Sequence, residues 1–104
     1  MEFQLVVQFR GTREAADFDS LVALEDLLIE RIGSAAEVDG HDMGSGESNI
    51  FIVTTDPEAT FRLVHAALTE RDLMSTARVA YRDVTSDRFT WIWPEGATEE
   101  FAIA

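Results

Sequence analysis

The chain has 104 residues, enough for one domain with a single core, and its 46% hydrophobic share argues against a disordered chain. Twenty acidic residues against eight basic ones give a formal charge of −12 and a surface that repels phosphate, which argues against direct nucleic-acid binding. Cysteine is absent, removing disulfides, thiol nucleophiles and thiolate metal sites.

Residues 2–10 alternate, with Phe3, Leu5, Val7 and Phe9 on one side and Gln4, Val6 and Gln8 on the other, the pattern of a half-buried strand. After a connection from Gly11 to Ala16, Phe18, Leu21, Val22, Leu24, Leu28, Ile29 and Ile32 recur at helical spacing. Asp17 or Asp19 is the expected cap of this first helix, and Gly33 suits the residue just beyond its end. Ala36 to Met43 reads as a second strand, Gly44 to Ser48 as a turn and Asn49 to Thr55 as a third strand, a hairpin built on three glycines in seven residues.

Asp56-Pro57-Glu58 is a strong helix start: Asp caps free amides, Pro suits the first helical position and Glu complements the positive helix end. The second helix uses Phe61, Val64, Ala67 and Leu68 and ends near Arg71. Ala77 to Val84 forms a fourth strand, Thr85-Ser86-Asp87 a turn, and Arg88 to Trp93 a short fifth strand stopped by Pro94, which cannot donate to a ladder. Residues 95–104 are a weakly specified tail of this single domain, with Phe101 and Ile103 as its packing residues.

The order β-α-β-β-α-β with an extra C-terminal strand predicts an α+β, ferredoxin-like sandwich, with two helices on one face of an antiparallel sheet and spatial strand order 4-1-3-2. The opposite sheet face is then open, and function is expected there. In a regular second strand Glu37, Asp39 and His41 share one side while Val38 and Gly40 point to the helices. A turn centred near Ser45 and Gly46 pairs residue 41 with 50 and 39 with 52, placing His41 and Asp39 beside Ile50 and Ile52 on the open face. A one-residue slip would reverse every side chain.

Two carboxylates and an imidazole could bind a metal or work as a base, but no second histidine stands at useful spacing and the segment from Asp39 to Asn49 lacks the EF-hand ladder of oxygen ligands. Gly44-Ser45-Gly46 lacks the Lys-Ser or Lys-Thr of a phosphate loop, and Ser45 and Ser48 lack a nucleophile elbow. No catalytic residue, metal or cofactor is assigned. His65 reads as a boundary-packed histidine, while Phe89, Trp91 and Trp93 fall on one side of the last hairpin; any exposed tryptophan would mark an interface.

The string from Val38 to Ile52, followed by Asp56-Pro57, Ala80-Tyr81-Arg82 and Trp93-Pro94, resembles small bacterial ferredoxin-like proteins of unassigned function, and the acidic one-domain architecture is similar to that of immunity proteins that neutralise secreted toxins. The resemblance implies a non-enzymatic module that docks a basic protein, with no functional residue carried over. On this reading Glu37, Asp39, His41, Asp42 and Glu47 supply charge, and Trp91 and Trp93 supply desolvated contact area. The alternative is a dimeric ferredoxin-like enzyme or ligand binder using His41 and Asp39, since such domains pair through sheets or edges. A third reading has an exposed strand edge extend a partner's sheet. No apolar run approaches the roughly 20 residues that span a bilayer, so a cytoplasmic protein without a membrane partner is expected.

Overall fold

A computed structural model describes residues 1–10, 15–44 and 46–103, with side chains omitted for 15–18. The elements are β1 (Phe3–Arg10), α1 (Ala15–Ile32), β2 (Glu37–Gly44), β3 (Glu47–Thr54), α2 (Pro57–Glu70), β4 (Ala77–Asp83) and β5 (Thr90–Trp93). They form an α+β structure with one five-stranded antiparallel sheet in the order β2-β3-β1-β4-β5. From the β4 side the first four strands run 4-1-3-2, and β5 extends the sheet beyond β4.

α1 opens at Ala15, so Asp17 and Asp19 lie inside the helix instead of capping it; the start of the expected connection, residues 11–14, lies outside the described residues. Leu21, Leu24, Leu28 and Ile32 lie along one stripe of α1 and are all buried, and the chain leaves the helix through Gly33 at φ +57°, a conformation costly for any residue with a Cβ. α2 starts as its sequence dictates: the Asp56 carboxylate accepts from the Ala59 amide at 3.1 Å and Pro57 takes the first position. Its buried stripe is Thr60, Val64, Ala67 and Leu68.

Both helices cover the same sheet face. Their buried residues pack with Leu5 and Val7 of β1, Ile50 and Ile52 of β3, and Val79 of β4. Across the helix tops, Arg31 grips the Glu70 carboxylate with both terminal nitrogens, Nη2 donating to Oε1 at 2.8 Å. The hydrogen bond to Glu70 raises the Arg31 pKa, and the same bond lowers that of Glu70.

The third strand corrects the expectation that Ile50 and Ile52 face away from the helices. Val7 stands opposite Ile50 and Leu5 opposite Ile52, and directly opposed residues project to the same side, so all four enter the helix-side core. The outer face therefore carries the other set: Gln4, Val6 and Gln8 of β1, Glu47, Asn49, Phe51 and Val53 of β3, and Arg78, Ala80 and Arg82 of β4.

The sequence suggested that this outer face is open; instead it is partly covered. Phe101 is buried against Val6 and Ala80, with Phe51, Phe89, Trp91 and Ile103 packed around them, so the C-terminal segment lies across the sheet as a second, smaller core. Phe101 meets Trp91 edge-to-face at 5.1 Å and Phe89 at 4.9 Å between ring centres, distances within the favourable range for aromatic pairs.

Candidate functional site

β2 is an edge strand, and its irregularity decides where its side chains go. Val38 pairs with Ile52 and Gly40 with Phe51, leaving Asp39 as the extra residue of a β-bulge, with Gly40 at φ +128°. The expected pairing of 41 with 50 is present; the pairing of 39 with 52 is not. Because Ile50 belongs to the helix-side core, His41 lies on that side as well, beneath α1, where its Nδ1 sits 3.1 Å from Glu25 Oε1. Gly40, expected toward the helices, is opposite the outer-face residue Phe51, whereas Val38 does pack into the helix-side cluster.

His41 and Asp39 therefore do not form the pair that the sequence suggested. Asp39 is exposed on the bulge, and the imidazole is partly buried against a carboxylate of a different element. Two carboxylates of β2 register on the outer face, Glu37 opposite Val53 and Asp42 opposite Asn49, and both are exposed. Together with Asp39 they make an acidic edge. At the start of β2, Ile29, 50% exposed, lines a shallow cleft with Gly33, Ala36, Glu37 and Val38.

Glu47 belongs to a different environment. It is 5% exposed on the outer face, where its Oε2 accepts from Gln8 Nε2 at 3.3 Å and from Asn49 Nδ2 at 3.1 Å. Gln8, fully buried, also donates to Asn49 Oδ1 and to the Ala102 carbonyl, each at 3.0 Å. A buried carboxylate held by neighbouring amides suits a structural anchor better than a surface charge.

The tryptophans divide between the faces, against the expectation that they share one. A register shift in the β4–β5 ladder sets Trp91 opposite Ala80 but Trp93 opposite Val79. Trp91 thus joins the outer-face cluster, donating to the Glu99 carbonyl at 2.6 Å, while Trp93 joins the helix-side cluster and donates to the Met74 carbonyl at 2.9 Å. His65 is exposed on α2, edge-on to Phe61 and Trp93 at 5.8 and 6.0 Å.

Sequence reasoning missed Arg78. Its guanidinium lies 5.0 Å from the centre of the Trp91 ring, and Nη2 is 3.3 Å from Glu99 Oε1. That nitrogen lacks hydrogen-bond alignment, so its contact with Glu99 is coulombic. Arg82, on the same side of β4, donates instead to Gln4 Oε1 at 3.0 Å and to the Ser86 carbonyl at 2.8 Å. Among the described residues no group of three or more His, Cys, Asp or Glu side chains converges as a metal site, and no helix is long and apolar enough to cross a membrane.

No protein-family model matches the chain, and no curated protein matches it. Among solved structures it is similar to the de novo designed protein Foldit4, with 22% identity, a TM-score of 0.55, and coverage of 79% of this chain and 94% of that one. At that identity the likeness concerns fold alone.

Proposed function

We propose that this protein is a non-enzymatic binding module on a ferredoxin-like scaffold with an added strand, and that its acidic edge docks a basic protein. The observation that carries the reading is the exposure of Glu37, Asp39 and Asp42 along one edge strand, beside the partly exposed Ile29. A strand edge of like charge suits a basic partner, accelerating encounter and setting orientation, and Ile29 beside Glu37 offers apolar contact area. A molecule of charge −12 adds a long-range field of the same sign. The resemblance to immunity proteins makes neutralisation of a basic toxin the most concrete version. Of the seven residues singled out by sequence, Glu37, Asp39 and Asp42 carry this reading, whereas His41, Glu47, Trp91 and Trp93 serve internal contacts.

The test is a paired capture from the native host using the wild-type chain and a triple charge reversal, E37K/D39K/D42K. A basic protein retained by the wild type, released by high salt and absent from the reversed chain is the expected outcome. Its toxicity when expressed alone, relieved by co-expression of the wild type, would establish neutralisation. Identical captured sets from both chains would end the proposal.

A further inference from the structure

Asp39 is the one aspartate of the chain that precedes a glycine. An aspartyl side chain can close a succinimide on the next amide nitrogen, and two things oppose it: the Cβ of the following residue and a backbone fixed in a regular ladder. Both are missing at this step. Gly40 has no side chain, and nothing lies within 4 Å of where its Cβ would stand. Its φ of +128° gives the peptide plane between the two residues a freedom that an L side chain would resist. Across the hairpin Val38 pairs with Ile52 and Gly40 with Phe51, while Asp39, the extra residue of the bulge, has no partner in that ladder. β2 also stands at the margin of the sheet, and Asp39 is exposed there. Other candidates are restrained. The Asp83 carboxylate is held by Thr85, and Asp56 caps the Ala59 amide and precedes a proline, which has no N–H. Asn49, 1% exposed, precedes the β-branched Ile50 and pairs on both sides, with Gln8 and Asp42.

We infer that Asp39-Gly40 is a self-modification site, at which the folded protein converts Asp39 to isoaspartate with water as the only co-reactant. The Gly40 nitrogen attacks Cγ of the protonated Asp39 carboxyl; the N–Cγ bond forms, a C–O bond breaks, and the amide proton leaves with the hydroxyl as water. Water then opens the ring. Addition at Cγ restores aspartate, whereas addition at the main-chain carbonyl carbon breaks its bond to the nitrogen and leaves the chain linked through Cγ, with the α-carboxylate as the side group. Nothing is oxidised or reduced, and mass and charge are unchanged. The product lengthens the backbone by one carbon at the point where the bulge already takes up an extra residue, so the pairs Val38 with Ile52 and His41 with Ile50 persist on either side. The altered carboxylate lies between Glu37 and Asp42 on the acidic edge, but the inference concerns the chain's own chemistry and holds whether or not a basic partner docks there.

The test is prolonged warm incubation of the full-length protein below its unfolding transition, without urea and in urea too dilute to unfold it. Isoaspartate is measured by enzymatic methylation of its carboxyl and located by fragment mass spectrometry. Label is expected to accumulate at residue 39 ahead of every other aspartate, with intact mass and circular dichroism unchanged. Its rate should be the same with and without dilute urea, because a bulge that opens locally exposes little surface, whereas global unfolding responds steeply to denaturant. D39E, which would have to close the larger glutarimide ring, should lose the signal at this position. D39N should react through the same succinimide with ammonia as the leaving group, faster than the wild type and with an intact mass that rises to that of the acid. Both variants alter an exposed side chain, and circular dichroism checks that they are folded. The inference is overturned if the folded wild type gains no label at residue 39, if D39E is labelled there equally, or if the rate climbs with urea as global unfolding does, which would confine the reaction to the unfolded chain.

Discussion

The two faces of the sheet are covered by different means, the outer one only in part. On the helix side, buried aliphatic residues from both helices and from β1, β3 and β4 interlock, and the packing comes from elements that are themselves hydrogen-bonded. On the outer side the cover is a strand-less tail, and beneath it an apolar patch around Phe101 adjoins the amide and carboxylate group of Gln8, Asn49 and Glu47. The contrast shows that burial alone does not identify a core. A face closed by regular elements opens with the domain, whereas a face closed by an irregular segment can open more locally.

The largest expected effect on this contrast is at the helix-side core. Ile52→Ala removes a fully buried side chain packed under both helices and should cost about 2–5 kcal/mol in urea unfolding; a loss as small as that of a surface substitution would show the two faces to be alike. Next comes Gln8→Ala, which takes a donor away from Glu47, Asn49 and the Ala102 carbonyl. It should cost about 1–3 kcal/mol and raise hydrogen exchange in the tail more than in the helices. An equal rise everywhere would mean that the tail has no separate opening.

Gly40→Ala probes the bulge that separates Asp39 from His41. Open space surrounds the position, so the strain at φ +128° is conformational, and a loss of about 1 kcal/mol or more in thermal unfolding is expected without any clash. The smallest effect is at Asp83. Its carboxylate accepts from the Thr85 amide at 2.9 Å and the Thr85 hydroxyl at 2.7 Å, and these bonds, the amide's first, lower its pKa. A lowered folded-state pKa stabilises at pH above the ordinary carboxylate value and is lost as pH falls through the lowered value. Asp83→Asn should therefore lower the neutral plateau of a pH-stability profile slightly and leave the acid end unchanged, so that the acid limb flattens.

Much of the framework was legible because single residues announced it. Asp56-Pro57 marked a helix start, Gly33 an exit, and the strict alternation of β1 named the residues that face the helices. The third strand gave no such guide, since Ile50, Phe51, Ile52 and Val53 are apolar in succession and either pair could have been the inner one. The pairing with β1 settles it. The position of His41 was lost for the same reason, compounded by a bulge at Asp39 that periodicity cannot register. Trp91 and Trp93 were separated by a second shift of the same kind. The docking of Phe101 on Val6 joins residues at opposite ends of the chain, a contact that no local pattern encodes.

The bulge has a further effect on how copies of this molecule meet in crowded solution. At one margin of the sheet, Asp39 interrupts the ladder between exposed carboxylates; at the other, β5 is four residues long and ends at Pro94. Neither border offers a long, flat row of amides for another chain to extend, so stacking into cross-β fibres has no template on either side. Concentrated preparations should remain free of thioflavin-positive material even though two of the inner strands are among the most apolar stretches of the chain.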